Sequence, residues 1–92
     1  VDKVYVGVWR EGGGKVRVVL GRTERAVWEG FAECVERDHG QPLLSLLQDC
    51  GVDIPEGADR VAQARAWEVL MHPAVTAVVE EAEVREELAG DA

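Results

Sequence analysis

Valine recurs at every second position near the start of the chain, where Val4, Val6 and Val8 alternate with Tyr5, Gly7 and Trp9. A period of two sends the first three side chains to one face of a β-strand and the other three to the opposite face. After Glu11-Gly12-Gly13-Gly14 the alternation resumes, with Val16, Val18 and Leu20 on one face and Lys15, Arg17 and Val19 on the other. Glycines between two such runs predict an antiparallel hairpin over residues 3–20. Matching the two aliphatic faces fixes the parity of the register. The simplest register sets Val8 opposite Val18, Val6 opposite Leu20 and Trp9 opposite Arg17. In this reading the aliphatic side faces the rest of the chain. Tyr5, Trp9, Lys15 and Arg17 then form an outward face, with Trp9 over Arg17 as a cation–π pair.

Beyond Gly21 the period lengthens. Thr23 serves as an N-cap, and Ala26, Val27, Gly30, Phe31, Cys34 and Val35 recur at helical spacing, with Trp28 at the border of the stripe. His39-Gly40 ends this helix with a left-handed cap. Pro42 starts a short second helix with Leu43, Leu44, Leu46, Leu47 and Cys50 on its apolar side, and Gly51 closes it. A third helix is predicted from about Ala58 to His72, with Val61, Ala62, Ala66, Val69 and Leu70 facing in. Pro73 breaks it. Residues 74–89 admit two readings. Val75, Ala77 and Val79 alternate as in a strand. The helix reading is preferred because strong helix formers begin at Glu80, just where a strand would have to end. The fold class predicted is α+β, an N-terminal antiparallel hairpin on three or four short helices. It forms a single domain over residues 1–92, with the hairpin at 3–20 and the helical part at 23–89.

Ninety-two residues suffice for one modest core. An apolar fraction of 47% with 30% charged residues fits a folded chain rather than a disordered one. The formal charge of −8 argues against general nucleic-acid binding. That charge is uneven: residues 1–22 carry +3, residues 23–73 carry −6 and residues 74–92 carry −5. No apolar run is long enough to span a bilayer and no signal peptide is visible, so no membrane partner and a cytoplasmic location are expected. Two cysteines do not make a disulfide framework. Arginine outnumbers lysine eight to two, a bias associated with GC-rich bacterial genomes.

The chemistry-bearing residues form no catalytic pattern. Cys34, His39, Cys50 and His72 lie too far apart in sequence for the close ligand pairs of a structural zinc site. A cysteine nucleophile would need an orienting third group that is not identifiable. Gly12-Gly13-Gly14-Lys15 is followed by a strand, whereas a phosphate loop runs into a helix. No enzyme activity, metal or cofactor is therefore expected. Tyr, Trp and Arg are the types enriched in interface hot spots. Tyr5, Trp9, Lys15 and Arg17 are accordingly the expected interface residues of a small docking or regulatory protein, bound to another protein or to itself as a homodimer. An alternative is an acidic inhibitor (an antitoxin, immunity protein or phage-type decoy). It would present Glu80, Glu81, Glu83 and Glu87 to a basic nuclease or DNA-binding protein. An accessory subunit of an enzyme is the third reading.

Overall fold

A computed structural model describes residues 2–84. The hairpin forms where the alternation predicts it, as β1 (Asp2–Glu11) and β2 (Val16–Gly21). Its register pairs Val8 with Val18, Val6 with Leu20 and Trp9 with Arg17, as expected. Glu11 N–H donates to the Lys15 carbonyl at 2.9 Å, and Gly14 takes the turn's positive φ of 86°.

Three helices follow: α1 (Glu24–His39), α2 (Leu43–Asp49) and α3 (Arg60–Met71). The Thr23 side chain accepts from Ala26 N–H at 3.1 Å, and Gly40 closes α1 in the left-handed conformation. Asp59 caps α3 in the same way as Thr23 caps α1, accepting from Ala62 N–H at 2.9 Å. That bond, with Arg25 nearby, holds the Asp59 carboxyl below its ordinary value. The buried face of α3 is rotated from the one expected. Gln63, Ala64 and Trp67 are buried, Ala62 is exposed, and Val69 is 73% exposed. The reason is size: Trp67 offers far more apolar surface than the valine and leucine beyond it, and the helix turns to bury that ring.

The segment after Pro73 is β3 (Val75–Val84), which overturns the helix preferred for 74–89; residues 85–89 of that helix lie outside the described residues. β3 pairs antiparallel with β1 along its whole length, from Asp2 opposite Val84 to Glu11 opposite Val75. A ten-residue edge of β1 needs hydrogen-bond partners, and this ladder supplies them. It carries Glu80 to Val84 into extended structure against their helix propensity, which is the weaker effect. The sheet order is β2-β1-β3, so β1 is central and the hairpin is not alone.

The core lies between one face of this sheet and the helices. Trp9, Val27, Phe31, Val35, Leu43 and Leu47 are fully buried. Phe31 stands between two indoles, 4.9 Å from Trp9 and 5.4 Å edge-on from Trp28. A bidentate pair joins the helices: Arg60 donates to both Glu36 oxygens at 2.6 Å, while Leu43 N–H donates to Glu36 Oε2 at 2.7 Å. The Arg60 hydrogen bonds, assisted by the Leu43 amide, hold the Glu36 carboxyl below its ordinary value.

Candidate docking surface

Both faces of β1 are apolar, and the helices cover the one not expected. The sequence pattern turns Val4, Val6 and Val8 inward; the structure instead buries Gly7 and Trp9 on the helix side, with Tyr5 half-buried beside them. Trp9 is only 1% exposed, and Tyr5 and Val19 pack on the core. Gly7 explains the choice. A Cβ there would lie 2.3 Å from Val27 Cγ1 and 2.4 Å from Phe31 Cζ, so the bare backbone is the socket that receives α1. Gly30 answers from the helix, where a Cβ would lie 2.6 Å from Val19 Cγ1. Glycine within a strand marks such close approaches. The two positions were the sequence signal for the covered face. The register survives the inversion because its parity is the same whichever face is inward.

The four expected interface residues therefore do not form an outward patch. Trp9 lies in the core, and its indole N–H has no hydrogen-bond partner among the described residues. Tyr5 is half-buried and donates to Glu81 at 3.3 Å; the Glu81 carboxylate, with burial, pushes its phenol above the usual value. Arg17 shares a face with Trp9, but its guanidinium is held 2.5 Å from Asp38 of α1. Exposed Lys15 lies 3.7 Å from the same carboxylate. A cation–π contact forms elsewhere, between Arg65 and Trp28, 5.1 Å from the ring centre.

The carboxylates of the C-terminal segment are also redistributed. Strand alternation separates Glu80 from Glu81 and Glu83 by a whole sheet thickness. Glu81 is engaged by Tyr5 and by Lys3 at 3.7 Å, and Glu83 also has a partner. Glu87 lies outside the described residues. Cys34 is half-buried and Cys50 exposed, so Cys50 does not pack on an apolar face; both are free thiols. His39 rests edge-on against Trp67 at 5.4 Å. Among the described residues, no group of three or more acidic, histidine or cysteine side chains is placed to hold a metal ion.

What the sheet leaves open is its aliphatic face. The register arranges it in rows across the three strands: Val16–Arg10–Thr76, Val18–Val8–Val78 and Leu20–Val6–Glu80, with Val4 beside Ala82 beyond them. No helix among the described residues covers these rows. Val16, Val18, Leu20 and Val78 are 48%, 62%, 67% and 53% exposed. The valines of β1 are half-buried, flanked by the strands on either side. An antiparallel sheet with one wet side ordinarily turns polar residues to it. Here Arg10, Thr76 and Glu80 are the polar exceptions among the described side chains of the rows. Strands about 4.8 Å apart and about 3.4 Å per residue give the whole face a flat footprint of about 350 Å², of which the aliphatic positions take about 260 Å². The largest apolar patch on a small domain is often functional.

The chain matches no protein-family model, no curated protein and no solved structure. No helix among the described residues is long and apolar enough to cross a membrane.

Proposed function

We propose that this protein is a small interaction or regulatory module that works by docking through the open face of its sheet, and that the partner is a second copy of the chain. One observation carries the reading: a three-row aliphatic surface on an otherwise well-packed small domain, opposite a core that is already closed. Burial of exposed aliphatic area is the driving force, at about 25 cal/mol per Å². Two flat footprints amount to about 700 Å². The side chains that stand out from them bring the contact toward the area of about 1,000 Å² that a specific interface needs. Sheets stacked in this way lie about 10 Å apart with their strands roughly aligned.

The reading keeps the docking role expected from the sequence and moves it to the other side of the hairpin. It is favoured over an acidic decoy because the carboxylates of β3 divide between two faces, two of them with partners inside the chain. Sedimentation equilibrium at micromolar concentration tests it. The expected result is a dimer that Val18→Asp converts to a folded monomer, because Val18 points away from the core. A monomeric wild type, or a dimer indifferent to Val18→Asp, refutes the proposal.

A further inference from the structure

We infer that two copies stack their open faces about a two-fold axis running across the strands, beneath the Val18–Val8–Val78 row. This deepens the self-association proposed above and rests on it. A two-fold axis relating two stacked faces lies in the plane between them, and the roughly aligned strands proposed above require it to run close to across the strands or close to along them. The polar side chains distinguish the two. Arg10 and Thr76 sit in the row on one side of the valine row, and Glu80 sits in the row on the other. Arg10 and Glu80 are both exposed, and neither has an ion-pair partner among the described residues.

An axis across the strands inverts the strand direction and keeps the strand order. Val8, Val18 and Val78 each meet their own counterparts. Val16 then meets Leu20 of the second copy, and Thr76 meets Glu80 of the second copy. Arg10 lies one strand away from that same Glu80, about 4.8 Å to the side. The leftover polar groups thus find one another twice, Arg10 lies with its apolar stem over Val6 of the second copy, and the other aliphatic side chains of the three rows cover aliphatic ones. An axis along β1 exchanges β2 with β3 instead. It sets Arg10 against Arg10 and covers Glu80 with Leu20, opposing like charges and stripping a carboxylate of water. Self-complementarity of shape and charge therefore selects the first arrangement.

Cysteine cross-linking separates the two axes. In a Cys34→Ala, Cys50→Ser background, Val18→Cys and Val78→Cys are treated separately and mixed with a short bis-maleimide, which spans the gap of about 10 Å between stacked sheets that a direct disulfide does not, then resolved on a denaturing gel. The inferred axis makes each variant cross-link with itself. Cross-linking only in the mixture overturns it, as does none at all. A charge exchange gives an independent reading without cysteines. Arg10→Glu and Glu80→Arg should each weaken the dimer about tenfold, and the double variant should recover most of that loss, the signature of a coupled pair. Single variants without effect, or a double variant weaker than either, also overturn the axis. A wild type that is monomeric refutes the self-association itself. A dimer that Val18→Asp dissociates but that fails both of these tests refutes the axis alone.

Discussion

Gly7→Ala should be among the most damaging single-methyl additions available to this fold. The added carbon would stand 2.3 Å from Val27 Cγ1 and 2.4 Å from Phe31 Cζ, against an ordinary contact of about 3.5–4.0 Å. More than an ångström of movement is needed from two side chains that are both fully buried. Phe31 cannot swing aside, because Trp9 and Trp28 hold its ring from two directions. The helix must lift from the sheet or the strand must bow. Overpacking of this kind costs about 1–3 kcal/mol, and the rigid surroundings place Gly7 at the upper end. Alanine is better than glycine within a strand by about 0.5–1 kcal/mol, which offsets part of that. A net loss of about 2 kcal/mol remains, equivalent to about 8–16 °C in Tm for a domain of this size. Thermal and urea unfolding followed by circular dichroism, at one fixed protein concentration, measures it. Gly13→Ala is the control, since nothing lies within 4 Å of a Cβ there and its φ is not positive. Phe31→Leu should partly rescue Gly7→Ala by opening the socket. A Gly7→Ala protein as stable as the Gly13→Ala control would refute the account of why α1 lies where it does.

Trp9→Phe should be much milder than Trp9→Ala, because it keeps most of the ring while removing an indole N–H that is buried without a partner among the described residues; Trp9→Ala should cost about 3–5 kcal/mol in urea unfolding. Glu36→Gln should lose about 1.5–3 kcal/mol at neutral pH, because the Arg60 fork and the Leu43 amide both bind the ionised form. The Glu36 pKa is lowered on folding, so its contribution is complete above the ordinary glutamate value of about 4.3 and fades as pH falls through the folded value. The gap between wild type and Glu36→Gln in urea melts should therefore close in acid and be unchanged between pH 6 and 8, as expected for about a pH unit or more above both values.

The parts of this fold governed by local rules were legible in the sequence. Period-two valines and a glycine turn specify the hairpin and its register, and Thr23 and Gly40 bracket α1 at both ends. What was not legible depended on competition between distant parts of the chain. Residues 75–84 contain a β-branched half and a helix-forming half, and only the unpaired edge of β1 decides between them. The two faces of β1 have similar hydrophobicity, and the decision between them lay in shape: Gly7 and Gly30 permit a close approach that the valine face does not. The open face of the sheet was not legible for the same reason. Aromatics with an arginine looked like an interface, whereas burial of Trp9 was worth more to the core, and plain valines were left outside.

The strand order also sets a timetable for folding. β1 is made before the helices, yet its second neighbour is β3, the last of the described elements. On a ribosome the central strand must wait, half-templated, until β2 and three helices have emerged. Its long-range ladder closes a loop that holds all of those elements, the kind of contact that slows folding most. A translation product that stops short of Val75 would keep a bare, valine-lined rim in the middle of what should become the sheet. Incomplete chains of this protein are therefore the species most prone to aggregate.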